Sequence, residues 1–367
     1  MKRVWIGLLA AVVVAGIGYW AVARLREEMS VKLVFERQLQ GDARGYDGNG
    51  PLVWVLPEVL VVGSAGKLQA WEVSTGGLKW EMAVKNEIHA VAAGDGMLYL
   101  AEHSGPASKP LPLRVIDGNT GQEILEGINA AAPHLVTSMV WAPAMRRLAV
   151  VTFDESVLVY DEKLALVHQV PCKIGLPEVS VCGNEVLLSN QGSLSLGVDL
   201  LSGARYLLSG SVADEEQRSI TMDAPFTSSA YHQSDGSFIR VIDNSWSTGL
   251  IRFYQGISRD NPIQPGQADP EAVGSPGAAG SALRVQVDSG NGHNVTDVCW
   301  PGKWLAVSGT EDGLAFFSTE TGKRLMIRRH AAANRVEHLQ VSPDGGKVAA
   351  LTERGKLYVW KVKRKGG

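Results

Sequence analysis

The 367-residue sequence has few of the residues that build common catalytic and metal sites. Its three cysteines are Cys172, Cys182 and Cys299, and none lies near the N-terminus, so no lipoprotein anchor is expected. No Gly-x-Ser-x-Gly segment is present to form the elbow that exposes a nucleophilic serine in many hydrolases. Lysine and arginine total 35 against 38 aspartates and glutamates, a net charge of −3, so no overall basic field predicts a nucleic-acid partner.

Histidine is equally sparse, and its spacing predicts no zinc site. None of the eight histidines follows a ligand pattern such as His-x-Glu-x-x-His. His293 and His330 precede the first strands of the last two repeat units described below, so a metal or catalytic role competes with a structural role within the unit, which we favour. The remaining six are His89, His103, His134, His168, His232 and His338.

One long hydrophobic run is present, at the N-terminus. Residues 4–23 carry no charge and, as a helix, would extend about 30 Å, the thickness of a bilayer hydrocarbon core. We therefore predict a cytoplasmic tail at 1–3, a transmembrane anchor at 4–23 in contact with the lipid bilayer, and a linker at 24–30. Lys2 and Arg3 favour a cytoplasmic N-terminus, which places the rest of the chain on the outer, periplasmic or equivalent, side of an inner membrane.

A cleaved secretory signal is the alternative for the same segment. Ala21-Val22-Ala23 fits a small-x-small cleavage site. The apolar run is longer than the ~7 to 15 residues of a typical signal core, which favours a retained anchor.

The rest of the chain repeats one unit with a period in the forties. Each unit has apolar strands, a small polar turn, a strand that ends in a polar or acidic residue, and then Thr-Gly or Ser-Gly in most copies. The clearest copy runs from Gly66 to Trp80. The positions equivalent to Glu72 lie 45, 44, 38, 44, 75 and 43 residues apart, and they are Asp117, Asp161, Asp199, Asp243, Ser318 and Lys361.

The single long gap contains residues 257–280, a flexible Pro- and Gly-rich insertion. Seven units of about 40 to 45 residues with four short strands each predict an all-β fold, a seven-bladed β-propeller of four-stranded antiparallel blades over residues 31–365. The last unit has no room for an outer strand. We therefore predict that residues 31–40, which precede the first unit, supply the closing strand of the last blade.

Two families of propellers resemble parts of this sequence. The stretch Gly66 to Trp80 is similar to the pyrroloquinoline-quinone-type (PQQ-like) repeat, in which a strand, an acidic residue and Thr-Gly precede a tryptophan that docks between blades. The C-terminal units resemble WD repeats, through Val341-Ser342-Pro343-Asp344-Gly345 with Gly355 to Trp360, and through Gly292-His293 with Ser308 to Gly313. The resemblance covers roughly residues 31–365 and implies a fold more than an activity.

Two departures limit what the resemblance implies. Quinone-dependent members of the first family are larger and carry an adjacent cysteine pair and calcium ligands, whereas no two cysteines are adjacent here. Arg354 stands where the WD pattern has aspartate, so the WD hydrogen-bond network is at most partial in the last unit. No cofactor, metal or catalytic residue is predicted.

Three smaller features have structural and functional interpretations. Asp47-Gly48-Asn49-Gly50 alternates oxygen ligands as calcium loops do, but it lacks the later glutamate, and a plain turn is favoured. Cys172 and Cys182 fall on different predicted strands and blades, which disfavours a disulfide. The basic tail Lys361, Lys363, Arg364 and Lys365 is either solvated or rests on anionic headgroups.

An anchored propeller without recognisable chemistry predicts a non-enzymatic scaffold. Its expected partner is a membrane or envelope protein complex, of which it is an accessory or assembly subunit. The alternative is a propeller enzyme or sensor that holds a quinone-type cofactor or a small molecule in the central channel.

Overall fold

The structure is a computed structural model in which every described residue lies in a strand, turn or short connection. It describes residues 29–39, 52–64, 66–84, 86–103, 112–128, 136–154, 156–172, 178–189, 195–209, 229–231, 238–243, 249–254, 283–288, 298–302, 305–310, 313–318, 324–329 and 336–364. Over these ranges the fold is all-β. None of the described segments forms a helix with the length and hydropathy needed to cross a membrane. The predicted anchor at 4–23 lies outside the described residues.

The strands of the first four sheets follow one another along the chain. Sheet 1 contains β2 (Leu52–Leu56), β3 (Val59–Ser64), β4 (Lys67–Glu72) and β5 (Gly77–Ala83), and sheet 2 contains β6 (Glu87–Gly94), β7 (Met97–His103), β8 (Pro112–Asp117) and β9 (Glu123–Ile128). Sheet 3 contains β10 (Val136–Ala142), β11 (Arg147–Thr152), β12 (Ser156–Asp161) and β13 (Leu166–Pro171), and sheet 4 contains β14 (Glu178–Cys182), β15 (Glu185–Ser189), β16 (Ser195–Asp199) and β17 (Arg205–Ser209).

The remaining three sheets repeat this order except at the last strand. Sheet 5 contains β18 (Ser229–Tyr231), β19 (Phe238–Asp243), β20 (Gly249–Tyr254) and β21 (Leu283–Asp288), and sheet 6 contains β22 (Val298–Gly302), β23 (Leu305–Thr310), β24 (Gly313–Ser318) and β25 (Arg324–Arg329). Sheet 7 contains β26 (Val336–Val341), β27 (Lys347–Thr352), β28 (Lys356–Arg364) and, as its outer strand, β1 (Met29–Gln38).

The sheets follow one another in a propeller-like order. In the described residues the first strand of each sheet contacts the first strand of the next, from β2 through β6, β10, β14, β18 and β22 to β26, and β26 contacts β2. All strand pairs within the sheets are antiparallel, with each sheet a four-strand meander apart from sheet 7. The predicted all-β architecture of four-stranded antiparallel sheets is confirmed.

The core lies between successive sheets because each sheet has two apolar faces. Leu60 of sheet 1 shares a buried cluster with Leu351 of sheet 7, while Leu68 of sheet 1 packs with Leu98 of sheet 2 on its other face. The same alternation continues between sheets 2 and 3, 3 and 4, and 6 and 7. A two-faced sheet of this kind cannot exclude water alone, so neighbouring sheets stabilise each other.

The outer strand of sheet 7 comes from the N-terminal side of the chain. β1 pairs antiparallel with β28 from Met29 opposite Arg364 to Gln38 opposite Lys356, with a bulge between Leu33 and Phe35. The segment for which the sequence predicted this pairing, residues 31–40, overlaps β1 over most of its length. The strand begins at Met29, so the last two residues of the predicted linker belong to it.

One repeat assignment was wrong. Glu72, Asp117, Asp161, Asp199 and Ser318 each end the third strand of a sheet, as the period predicted. Asp243 instead ends β19, the second strand of sheet 5, because an acidic residue a few positions before Thr-Gly can end a second strand as well as a third one.

The predicted insertion at 257–280 lies outside the described residues. The flanking strands β20 and β21 are hydrogen-bonded neighbours, with Tyr254 opposite Leu283. The chain therefore leaves and re-enters sheet 5 at adjacent positions, between its third and fourth strands.

Candidate functional site

The end of the sheets that carries the third-to-fourth strand turns is here called the turn face, and the opposite end the loop face. Most of the charged side chains with defined partners lie at these two ends. The hydrogen-bond and ion-pair partners of these side chains show which of them stabilise the fold and which can bind another molecule.

The acidic residue that closes a third strand caps the turn that follows. In three sheets, one oxygen of the aspartate side chain, Oδ1, accepts hydrogen bonds from two backbone N–H groups of the turn. Asp117 accepts from Asn119 and Thr120 at 2.8–2.9 Å, and Asp161 accepts from Lys163 and Ala165 at 2.9 Å. Asp199 accepts from Leu201 and Ser202 at 2.8–3.0 Å. The N–H of Thr120 is the main cause that lowers the pKa of Asp117. These repeated acids stabilise turns, which explains their spacing without acid–base chemistry.

Trp80, on the outer strand of sheet 1, docks on the turn of sheet 2. Its Nε1 donates a 2.9 Å hydrogen bond to the carbonyl oxygen of Gly118. Its ring covers Gly121, which has a φ of +74° and where a Cβ would come within 2.7 Å of the Trp80 ring. The tryptophan that the PQQ-like resemblance implied between blades therefore does lie between two sheets.

Other sheets use different side chains for the same contact. Between sheets 3 and 4, His168 lies over Gly203 and its Nε2 is 2.8 Å from the carbonyl oxygen of Leu201. A carbonyl only accepts, so Nε2 carries the proton. Between sheets 7 and 1, Phe35 lies over Gly76 while Arg37 Nη2 donates to the Gly76 oxygen at 3.0 Å. The sequence did not predict these two contacts, because neither side chain is a tryptophan.

A shared backbone irregularity positions these docking side chains. The register of the outer strand shifts by one residue at the same place in six sheets, with the extra residue at Val34, Lys79, Ile124, Val167, Arg284 and Leu325. In three of these sheets the next residue is the docking side chain, Phe35, Trp80 or His168. A bulge increases local twist and redirects the next side chain. It therefore aims each outer strand at the neighbouring sheet.

A second set of bonds joins the first and last sheets. Lys347 is only 8% exposed, and its Nζ donates to Glu58 Oε1 at 2.6 Å and to the Pro57 oxygen at 3.1 Å. Trp54 Nε1 donates to the Gln340 oxygen at 3.3 Å. A buried ammonium requires such partners because its desolvation is otherwise costly. We call this group the closing clasp.

One open cleft lies at the turn face of sheet 3. It has a volume of about 320 Å³ and is lined by Met145, Arg146, Arg147, Asp161, Glu162 and Lys163. Arg146 and Glu162 form an ion pair at 2.5 Å across its rim. The Nε atom of Arg147 is buried and has no hydrogen-bond partner. The cleft therefore combines an ion pair with a second guanidinium, that of Arg147, which is partly buried.

The rim of this cleft also has unusual backbone geometry. Arg146 and Leu164 adopt φ angles of 50° and 58°, and Asp95 of the neighbouring sheet adopts 54°. These are the non-glycine residues with positive φ in the described part of the chain. Left-handed backbone at such residues costs about 1 to 2 kcal/mol each and is enriched at functional sites.

Two aromatic side chains pack against each other between sheets 2 and 3. Tyr99 stacks on Trp141 with 4.9 Å between ring centroids, and Trp141 fills the space above Gly94. Burial, and secondarily the nearby Asp95, raises the pKa of Tyr99 to about 12. The phenol therefore stays protonated to a higher pH than that of an exposed tyrosine.

The loop face of sheet 2 holds a buried charge network. Glu102 is 2% exposed and accepts hydrogen bonds from Asn86 Nδ2 at 2.9 Å and from Arg114 Nη1. Arg114 also binds Glu123 at 2.7 Å, and this bond is the main cause that raises the pKa of Arg114. Both oxygens of Glu102 are engaged, so the network joins the second, third and fourth strands of sheet 2 to Asn86, the residue that precedes its first strand.

Sheets 3 and 7 place threonine at the position of Glu102. Thr152 Oγ1 donates to the Ser156 oxygen at 3.1 Å, and Thr352 Oγ1 donates to the Lys356 oxygen at 3.2 Å. The repeat therefore needs only a small turn-capping hydroxyl here. No spacing in the sequence distinguished Glu102 as the exception.

The histidines and cysteines singled out by sequence do not converge on one site within the described residues. His338, on the inner strand of sheet 7, has a buried Nε2 without a partner, and burial lowers its pKa to about 4. Cys172 is buried among apolar residues between sheets 3 and 4. Neither His293 nor His330, nor the loop at Asp47, is among the described residues. The part of the chain that is described holds no group of three or more His, Cys, Asp or Glu side chains placed to bind a metal ion.

Comparison with known proteins assigns the chain to no group. No model of a protein family matches it, and no curated protein matches it. The class that the fold defines is an all-β repeat protein with a propeller-like order of sheets.

Proposed function

We propose that this protein is a non-enzymatic, membrane-anchored scaffold, a seven-bladed β-propeller that mediates protein–protein interaction as an accessory or assembly subunit of a membrane or envelope complex. Its N-terminal tail lies in the cytoplasm and its sheets lie on the outer side of an inner membrane. The similarity of the repeats to PQQ-like and WD units is part of this proposal.

The observation that carries the proposal is that several charged side chains form hydrogen bonds and ion pairs between and within the sheets. The turn-face aspartates cap turns, Lys347 joins the first and last sheets, and Glu102 joins the strands of sheet 2. Side chains fixed in this way make a rigid support for exposed loops. A rigid surface loses little conformational entropy when a partner binds, which favours affinity.

The cleft of sheet 3 is the proposed contact for a charged segment of the partner. Arg147 and Lys163 have no ion pair with any described carboxylate, while Arg146 and Glu162 are paired at the rim. A partner carboxylate in the cleft would pair with the charge of the Arg147 guanidinium. Charge-assisted hydrogen bonds of this type are about twice as strong as neutral ones.

Copurification from the native membrane in mild detergent tests the proposal. The full chain is expected to retain a defined membrane or envelope protein, identified after crosslinking. The double variant Arg147→Gln/Lys163→Gln should weaken this capture, and the charge-matched variant Lys67→Gln/Lys79→Gln should not. A monodisperse protein without a partner contradicts the scaffold. Bound quinone absorbance or calcium dependence would favour the alternative, a ligand in the channel.

A further inference from the structure

The third strand of sheet 7 is longer than its counterparts. β28 has nine residues, whereas the third strands of the other sheets have five or six. Lys361 stands at the position of Glu72, where the other sheets turn, and the chain continues to Arg364 in pairing with β1. The three residues beyond the turn position extend about 10 Å at the rise of a β-strand.

Sheet 7 lacks the turn that the repeated acid caps. In sheets 1 to 4 the third strand ends in Glu72, Asp117, Asp161 or Asp199 and turns directly into the fourth strand. In sheet 7 the fourth strand is β1, which comes from the N-terminal side of the chain. A carboxylate at position 361 would therefore have no turn N–H groups from which to accept hydrogen bonds. Lysine occupies the position instead.

Three lysines share one side of this extension. Lys32 lies opposite Lys361, and Ser30 lies opposite Lys363. The intervening Val31 and Val362 are buried in the cluster between sheets 6 and 7, so the lysines are on the other side, where all three are exposed. We call Lys32, Lys361 and Lys363 the lysine ribbon.

The ribbon is not neutralised within the described residues. The ion pairs nearest in sequence join Lys347 to Glu58 and Lys356 to Glu36, and no ion pair joins a ribbon lysine to a described carboxylate. Like charges directly opposite in a sheet are destabilising. An external anion would remove this repulsion.

The position of the ribbon relative to the predicted anchor identifies the anion. The chain from Ala23 to Met29 covers at most about 20 Å when fully extended. β1 starts at the turn-face end of sheet 7, beside Lys363. If residues 4–23 cross a bilayer, Met29 lies within that distance of its surface, and this linker is short enough to let the ribbon rest on the surface, where anionic headgroups attract lysine by about 1 kcal/mol each.

We infer that the lysine ribbon binds anionic lipid headgroups and thereby turns the turn face toward the bilayer and the loop face away from it. This inference rests on the membrane anchor of the proposed function. It deepens that function because the turn face, which also carries the cleft of sheet 3, is then held beside the bilayer, where a membrane protein can reach the cleft.

Lysine acylation of the full chain reconstituted in liposomes tests the inference. The chain is placed in phosphatidylcholine alone or mixed with phosphatidylglycerol, and the acylation rate of each lysine is read by peptide mass spectrometry. Ribbon lysines should react about fivefold more slowly in the anionic liposomes, the factor that corresponds to 1 kcal/mol per lysine. The protection should fall at high salt because the interaction is screened.

Lys67 is the internal control. It begins β4 at the loop face, and its reactivity should be the same in both liposomes. The variant Lys361→Gln/Lys363→Gln should reduce the protection that remains at Lys32, whereas Lys67→Gln should leave it unchanged.

Three results would overturn the inference. They are equal ribbon reactivity in both liposomes, protection of Lys67 as strong as that of the ribbon, and ribbon protection that appears only in native membranes, which would identify an acidic protein as the ligand. Extraction of the liposomes with alkaline carbonate distinguishes these three results from a failure of the predicted membrane anchor. A chain that leaves the liposomes under carbonate refutes the anchor itself, whereas a retained chain with an unprotected ribbon refutes only the inference.

Discussion

The docking of Trp80 on Gly121 predicts a large cost for adding one methyl group. Gly121→Ala places a Cβ within 2.7 Å of the Trp80 ring at a φ of +74°. The backbone conformation alone costs about 1 to 2 kcal/mol, and forcing the ring aside adds about 1 to 3 kcal/mol. Displacement of the ring also breaks the 2.9 Å bond from Nε1 to the Gly118 oxygen. The full chain in mild detergent should therefore unfold at a clearly lower urea concentration, followed by the circular dichroism of its β-sheets.

Gly183 provides the matched control for this substitution. It also has a positive φ, of +59°, but a Cβ there meets nothing within 4 Å. Gly183→Ala should cost only the backbone term. The difference between the two variants isolates the contact with Trp80.

A double-mutant cycle completes the test. With Trp80→Ala already present, Gly121→Ala should cost no more than Gly183→Ala, so the two changes should be sub-additive by about 1 to 3 kcal/mol. Additive costs, or equal costs for the two glycine substitutions in the wild-type chain, would refute docking between sheets 1 and 2.

Three further outcomes are expected. Lys347→Ala should destabilise the chain by about 2 kcal/mol in urea unfolding, because Glu58 and a backbone carbonyl lose a buried partner; a change near zero would contradict the closing clasp. His338 has a folded pKa of about 4 against 6.5, so the folded state resists protonation, and stability should fall by about 3 kcal/mol as pH drops from 6.5 to 4. His338→Leu should flatten this part of the pH profile, and an unchanged profile would refute its burial. Truncation after Lys347 removes β28 and all but the first residue of β27, and it should abolish the folded sheets as a whole; a stable folded remainder would show that the sheets are independent.

The repeat itself could be predicted from the sequence because its signals are local. Alternating apolar residues define strands, and an acid followed by Thr-Gly defines the turn that the acid caps, as at Asp117 and Gly121. The same local signal failed at Asp243, since a polar residue before a turn does not specify which strand of a sheet it ends.

The contacts between sheets could not be predicted in the same way. The residue at the docking position is a tryptophan in sheet 1 but a histidine in sheet 3, and what unites them is a bulge and a turn on another sheet. Lys347 and Glu58 are 289 residues apart, and only the meeting of the last and first sheets brings them together. The cleft of sheet 3 likewise lies between two turns, at residues 145–147 and 161–163, and the spacing of residues in the sequence does not show that these turns lie side by side.

Hydrogen–deuterium exchange of the full chain in mild detergent tests most directly whether the N-terminal strand closes the arrangement of sheets. Because β1 is the outer strand of sheet 7 and pairs with β28 along its length, the alternate amides from Val31 to Gln38 that donate to β28 should exchange as slowly as those of Lys356 to Val362. Exchange of β1 at the rate of an unstructured peptide, while the inner strands β26 and β27 stay protected, would contradict the account.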